Sequence, residues 1–370
     1  FWAIPGERYD GHDFVLEALS KGAAGAVISR KDLTHNTYLE PYHFQTLILV
    51  PNTLPALQTL AQVYRKRFPI PLIAVTGSNG KTSTKEIIAQ VLSTRFKVLK
   101  TEGNFNNLIG LPLSLVGLSS QHQVAVLEMG MNRSGEIARL CEIAQPNIGL
   151  ITNIGTVHLE LLGSIEAVQE AKAELVKALK ADDLLILNAD DERVNSLSQR
   201  FLGKVLFYGL SPRAHIWADR IELRGSEGSY FVLHAPDSEG IDINLNLMGQ
   251  YNIYNALAGG AIGYAFQIPL ADIKKALESF LGIKMRLQPY ILPGNILLID
   301  DSYNANPQSL QYAIDVLMSC CPDQGRSFLV MGDMLELGED SENLHRMVGR
   351  KIAKVSMDFL VTLGVSASIV

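Results

Sequence analysis

Short apolar runs separated by helical patterns dominate the chain. Leu54, Leu57, Leu60, Ala61 and Tyr64 recur at helical spacing, which predicts an amphipathic helix over 53–67. Phe68-Pro-Ile-Pro71 ends it. Upstream, the pattern predicts a short helix at 14–19 and strands at 23–28 and 46–50. Downstream, apolar strands are expected at 72–75, 124–127, 148–151, 184–187 and 205–208. A helix is expected at 81–92, and helical patterns lie between most of the strands. This alternation predicts a mostly parallel sheet covered on both faces. Residues 215–247 alternate polar and apolar, with Gly225 and Gly228 as turn signals, and predict antiparallel strands flanking that sheet. Two helices follow, at 251–266 and 270–280. The last stretch reads as strand 296–299, helix 307–318, strand 328–330, helix 344–355 and strand 359–361. That is the first half of a dinucleotide-type open sheet, without its G-x-G-x-x-G.

The expected fold class is therefore α/β with three domains. Residues 1–70 form a small α/β N-terminal domain. Residues 71–286 form a central phosphate-loop parallel sheet with an antiparallel flank. Residues 287–370 form a partial Rossmann-like C-terminal domain. The chain opens on Phe1 and stops at Val370 inside the alternation, so both outer domains are expected to be incomplete.

Composition narrows the function classes. Of 370 residues, 47% are hydrophobic and 19% charged, which provides for a large core and argues against disorder. The net charge of -6 argues against a nucleic-acid-binding surface and leaves room for a local anion site. Cys141, Cys320 and Cys321 are the three cysteines. They lack C-x-x-C spacing, so neither a disulfide framework nor a cysteine zinc site is expected, and a cytoplasmic location fits. No apolar run reaches the ~18 residues of a membrane span.

Thr76-Gly-Ser-Asn-Gly-Lys-Thr-Ser83 follows an apolar strand and opens a helix, the setting a phosphate loop requires. Gly77 and Gly80 let the backbone curl, so that the N–H groups along Ser78, Asn79, Gly80, Lys81, Thr82 and Ser83 can meet phosphate oxygens. Lys81 can reach the outer phosphates, and the Thr82 hydroxyl can ligate Mg2+. Val75 stands where the G-x-x-x-x-G-K-[ST] pattern has its first Gly. The competing reading is an ordinary strand-to-helix turn.

Further candidates sit just past other strands. Glu128, in L-E-M-G-M, can hold Mg2+ or be a solvated strand-end acid. His158, in T-N-I-G-T-V-H-L, can bind a divalent ion or phosphate, or be structural. Asn252 and Asn255 share a helix face and can read a base edge or cap the helix. Asp301, in D-D-S-Y-N-A-N-P, offers a carboxylate to a ribose hydroxyl, and M-G-D-M-L-E-L-G places acids at a corresponding strand end. Both can equally be plain turns. Taken alone, Lys172 in A-K-A-E reads as a surface lysine.

Taken together, the segments T-G-S-N-G-K-T-S, E-G-N-F-N-N-x-I-G-x-P, L-E-M-G-M-N, N-I-G-x-x-H-L-E, A-K-x-E-L, G-x-Y-N-x-x-N-x-L-A and D-D-S-Y-N-A-N-P occur in this order over nearly the whole chain. They resemble the Mur ligases, ATP-dependent amide-forming enzymes of peptidoglycan precursor synthesis. D-S-Y-N-A-N-P with G-D-M-L-E-L-G, and P-G-E-R-Y-D-G-H-D-F near the start, are similar to the branch acting on UDP-N-acetylmuramoyl-tripeptide and D-alanyl-D-alanine. The tripeptide-forming relative usually shows D-Y-A-H.

The resemblance implies ATP and Mg2+ as cofactors and assigns roles by position. Lys81 binds the β/γ-phosphates, Thr82 and Glu128 a Mg2+, and His158 a second. Lys172 matches a lysine whose carbamate bridges to metal in several relatives. Asn252 and Asn255 face adenine, Asp301 takes the ribose, and Arg286 in K-M-R approaches the γ-phosphate from the domain junction. The implied chemistry forms an acyl phosphate that an amine then attacks. The C-terminal domain is expected to close over the site about a hinge near 286–295. A monomer with no nucleic-acid partner and no membrane span is expected. Competing readings are a sister ligase (tripeptide-forming or folylpolyglutamate-type), an ATP-binding module that forms no amide, and a purely structural relative.

Overall fold

The computed structural model describes residues 1–35, 45–322 and 324–370. Strands β1 (Gly25–Ile28) and β2 (Thr46–Leu49) pair in parallel in a small first unit. Helix Val15–Ser20 contributes Val15 and Leu19 to its own core with Ala3, Ala26 and Ile28. Helix Thr53–Arg65, predicted by periodicity and capped by the Asn52 side chain, packs onto the next unit. Its Ala61 joins the core beside Leu72 and Leu111, and the Arg65 guanidinium donates to the Ala144 and Ile70 carbonyls.

The central sheet has nine strands: β3 (Leu72–Thr76), β4 (Val98–Lys100), β5 (Val124–Glu128), β6 (Ile148–Ile151), β7 (Leu184–Asn188), β8 (Lys204–Gly209), β9 (Ile216–Leu223), β10 (Ser229–His234) and β11 (Ile241–Leu245). Their spatial order is β11-β10-β9-β8-β7-β6-β3-β5-β4. From β4 to β9 all neighbours are parallel; β10 and β11 then alternate antiparallel. The alternation over 215–247 predicted antiparallel strands flanking the parallel sheet; β9, β10 and β11 are successively antiparallel, and β9 joins them to the parallel part by pairing parallel with β8.

All five residues of β3 are buried because each face is covered, so Leu72 to Val75 are apolar at both periods and the one polar residue, Thr76, donates its hydroxyl to the Met129 carbonyl. Ile73 and Val75 meet the layer containing helices Lys81–Leu92 and Gln250–Ala265, whereas Leu72 and Ala74 meet Leu111, Ile137 and Leu175 on the other side. That division follows from the two-residue repeat of a strand. β3 lies between β5 and β6, so connections leave it in opposite directions. A crevice opens at such a switch point.

The third unit contains the antiparallel hairpin β12 (Gln288–Leu292) and β13 (Ile296–Asp300), and the parallel pair β14 (Phe328–Gly332) and β15 (Phe359–Leu363). Helices Pro307–Cys320 and Ser341–Ile352 bury Leu310, Ile314 and Val348 against Leu329 and Met331. The architecture is α/β in three units, with a P-loop sheet at the centre. Among the described residues no helix is long and apolar enough to cross a membrane.

Candidate active site

A cavity of about 930 Å3 opens at the carboxyl ends of β3, β5 and β6 and extends to the third unit. The expected residues Ser78, Asn79, Gly80, Lys81, Thr82, Ser83, Glu128, His158, Lys172, Asn252, Asn255, Arg286 and Asp301 all line it. Gly77 lies behind the wall.

The loop after β3 has the conformation its glycines allow. Gly77 adopts φ +148°, and a methyl group there would meet Thr152 Oγ1 at 1.9 Å. Gly80 adopts φ +78° as the residue preceding helix Lys81–Leu92. The first-turn N–H groups of that helix have no intrahelical acceptor and carry the positive end of its dipole. Lys81 Nζ folds back to the carbonyl oxygens of Gly77 (2.9 Å) and Ser78 (3.0 Å).

Lys172 is a correction to its isolated reading as a surface lysine: it is 2% exposed. Its Nζ donates to the same Gly77 oxygen at 2.9 Å. The A-K-A-E pattern hid this because flanking Ala171 and Ala173 are small and carry little hydrophobic signal, yet both are fully buried. Burial, with Lys81 nearby, pushes the Lys172 amine well below the ordinary lysine range. Burial also lowers Lys81; Glu128 opposes that shift and Arg286 reinforces it. These influences bring Lys81, Lys172, Glu128 and Arg286 into one electrostatic neighbourhood.

Glu128 ends β5 and is buried. Its Oε1 accepts from Asn106 Nδ2 at 2.8 Å, and its Oε2 is buried without a hydrogen-bond partner. A buried carboxylate oxygen without a donor fits a cation held there. Hydroxyl and carboxylate oxygens suit Mg2+, and Thr82, Glu128 and His158 share the cavity wall. Among the described residues no three His, Cys, Asp or Glu side chains converge as a metal cage; a phosphate-dependent Mg2+ needs only one or two carboxylates.

His158 has a left-handed backbone at φ 54°. Its Nδ1 lies 2.7 Å from Glu336 Oε2 of the third unit. Burial lowers its pKa, opposed by Glu336 and reinforced by Lys81 and Lys172. Asn252 and Asn255 do share a helix face, but their amides engage each other. Asn255 Nδ2 donates to Asn252 Oδ1 (3.0 Å), Asn255 Oδ1 accepts from Thr84, and Asn252 Nδ2 donates to the Met248 carbonyl.

Arg286 stacks its guanidinium over Tyr303, 4.0 Å from the ring centroid; burial lowers its pKa, and Asp301 counters this. Asp301 Oδ1 accepts from the Leu287 N–H at 3.1 Å. Burial nevertheless raises its carboxyl to about 6. Met285 and Leu287, on either side of Arg286, have φ of 61° and 48°.

Residue-by-residue reading missed Asn106, Glu336, Tyr303, Asn306 and Gln308. The first four lie in motifs that were visible, but nothing in spacing says which side chain turns toward which partner.

A P-loop sheet whose strand tips and neighbouring unit converge on a cavity lined by Lys81, Lys172 and Arg286 defines a class that sequence families can test. The family description "Mur ligase middle domain" matches residues 75–263, and "Mur ligase, glutamate ligase domain" matches residues 285–368. The chain belongs to the Mur ligase family.

Among individual relatives, the UDP-N-acetylmuramoyl-tripeptide–D-alanyl-D-alanine ligase of Bacillus subtilis (strain 168) is 37% identical over 364 residues, covering 98% of this chain and 77% of that protein. The enzyme of the same name from Escherichia coli (strain K12) is 36% identical, covering 98% and 78%. The crystal structure of MurF from Acinetobacter baumannii superimposes with a TM-score of 0.90 at 34% identity, covering 100% of this chain and 78% of that one. MurF ligase from Thermotoga maritima in complex with ADP gives 0.83 at 29% identity, with 100% and 91% coverage.

Proposed function

We propose that this chain is an ATP-dependent carboxylate–amine ligase that joins D-alanyl-D-alanine to the terminal carboxylate of UDP-N-acetylmuramoyl-tripeptide. The observation that carries the reading is the convergence of Lys81, Glu128 and Arg286, from two units, on one cavity. Relatives bearing that enzyme name match nearly the whole chain.

In the first step a carboxylate oxygen of the tripeptide bonds to the γ-phosphorus of ATP. The bond to the β–γ bridging oxygen breaks, and ADP leaves. Lys81, Arg286 and the first-turn N–H groups face the charge that spreads over the transferring phosphoryl group. The N–H groups are fixed by the helix before the reaction and need no reorganisation as charge develops, whereas Lys81 must leave the Gly77 and Ser78 carbonyls to reach it. In the second step the dipeptide amine attacks the acyl carbon, the C–O bond to phosphate breaks, inorganic phosphate leaves and the new amide nitrogen sheds a proton.

Thr82, Glu128 through Oε2, and His158 would hold Mg2+, which when bound supplies neutralising charge to the phosphates. Burial, with Lys81 nearby, pushes the Lys172 amine well below the ordinary lysine range, which favours the neutral form that carbamylation requires. Asp301 would accept from the ribose, and Asn252 and Asn255 would wall the adenine end. We assign the reaction to the cytoplasm, where ATP and nucleotide-linked substrates are found, and to a monomer whose domains divide near residues 70 and 286: the first for the UDP-linked substrate, the second for ATP and the third for the amine substrate.

The deciding assay is ADP formation by purified protein with each substrate omitted in turn. The reading requires ADP and peptide product in equal amounts, dependent on both UDP-N-acetylmuramoyl-tripeptide and D-alanyl-D-alanine. ADP release indifferent to the dipeptide would defeat it.

A further inference from the structure

Asn79 stands in the middle of the phosphate loop, yet every polar atom it has is already bonded to protein. Its N–H donates to Asn153 Oδ1 at 2.8 Å. Its carbonyl accepts from Thr152 Oγ1 (2.7 Å) and Asn153 Nδ2 (3.0 Å), both from the tip of β6. Its side-chain Nδ2 donates to Gln308 Oε1 at 3.0 Å, and its Oδ1 accepts from Asn306 Nδ2 at 2.7 Å. The last two partners belong to the third unit.

Those two partners are themselves fixed. Asn306 caps helix Pro307–Cys320, its Oδ1 accepting from the Gln308 and Ser309 N–H groups at 3.1 and 2.9 Å. Gln308 Oε1 packs against Gly155, where an added methyl group would lie 2.3 Å from it and displace the amide. The Gly155 N–H is in turn held by Ser78 Oγ at 2.8 Å. The phosphate loop, the β6 tip and the N-terminus of a third-unit helix thus share one amide cluster. A primary amide serves here because it is donor and acceptor at once, so one residue can bind two partners of opposite character.

We infer that Asn79 is a positioning residue whose side chain, through Asn306 and Gln308, seats the third unit on the phosphate loop, so that loop conformation and closure of the third unit form one equilibrium. The catalytic consequence rests on the ligase reading above; the seat itself does not. In a ligase, the seat keeps the amine-delivering unit in place and water out while the acyl phosphate persists.

The test is a double-mutant cycle on closure, read in nucleotide-free protein by energy transfer between dyes at exposed Leu202 and Val365, with Cys320 and Cys321 replaced by Ser. Gln308→Ala should shift the open-to-closed ratio by about 5-fold, the worth of roughly one neutral hydrogen bond, and Asn79→Ala, which also removes the bond from Asn306, by up to about 25-fold. The double variant should shift it no further than Asn79→Ala alone, because both substitutions remove the same contact. Gln308→Glu, which keeps the acceptor oxygen, should stay within about twofold of the parent.

Multiplying effects in the double variant, or single variants indistinguishable from the parent, would overturn the seat. In the ligation assay, Asn79→Ala and Gln308→Ala should raise the share of ATP consumed without peptide product. A coupled cycle in protein that never ligates would sink the ligase reading and leave the seat standing. An uncoupled cycle in an active ligase would do the reverse.

Discussion

At the scale of single residues, the site is built from charges held in the wrong medium. Glu128 is the sharpest case, with one oxygen bonded to Asn106 and the other bonded to nothing. Glu128→Gln keeps the shape and the Asn106 bond while deleting the charge. Mn2+ affinity measured by electron paramagnetic resonance should fall by at least about 10-fold, a loss that even outer partners of a metal cause. The melting temperature without cation should not fall, since an unpartnered buried carboxylate contributes little stability. Undiminished Mn2+ binding would remove Glu128 from the proposed metal site.

Asp301 makes a second residue-scale prediction. Its carboxyl, raised to about 6 by burial, must be ionised to accept well from a ribose hydroxyl. Nucleotide affinity should therefore be greatest above pH 6 and decline as pH falls through that value. Asp301→Asn should bind more weakly at pH 7.5 and lose the slope between pH 5 and 7, by calorimetric titration. A slope unchanged in the variant would assign the titration to another group. The existence of these groups was legible in the sequence because motifs put them past strands. Their environments were not: Lys172 reads as a surface residue until the packing of Ala171 and Ala173 is known, and Asn79 reads as a phosphate ligand until Gln308 is in view.

At the scale of elements, legibility followed the length and burial of each segment. The apolar strands of the central sheet were readable because burial on both faces leaves few polar positions. β4 was not, since Val98-Leu-Lys100 has three residues, all half-buried. Helix Gly110–Val116 begins on Gly and holds Pro112 in its first turn, so its composition resembles a loop. The antiparallel flank was readable over 215–247 as a whole, but not the parallel pairing of β9 with β8, because alternation records one exposed face and carries no information about which neighbour a strand takes.

Caps are more tractable. Ser164 Oγ accepts from the Ala167 N–H at the start of helix Ile165–Ala178, which carries Lys172. Ser164→Ala should destabilise the protein by about 1 kcal/mol, measured by urea unfolding. No change in midpoint would mean that the helix end is held by packing alone.

At the scale of the whole molecule, the chain crosses once from the centre to the third unit, and the two also meet through side chains and a backbone contact from the Glu160 N–H to the Glu336 carbonyl. The residues flanking Arg286 take left-handed conformations, which cost a non-glycine residue of order 1 kcal/mol each and mark where the chain bends. Solution scattering should report an average radius that contracts when Mg2+, a non-hydrolysable ATP analogue and the tripeptide nucleotide are added together. Superimposable curves would argue against closure. The three-unit plan was visible in the sequence, whereas the seam between units was not, because contacts such as Asn79–Gln308 and His158–Glu336 join residues far apart in the chain.

That single crossing has a consequence for engineering. Carboxylate activation lies before Leu287, and the unit proposed to deliver the amine lies after it. A graft that replaces residues 288 onward with the corresponding segment of a relative taking a different amine, while retaining Asp301, Tyr303, Asn306, Gln308 and Glu336, therefore offers a route to retargeted peptide synthesis without rebuilding the nucleotide machinery.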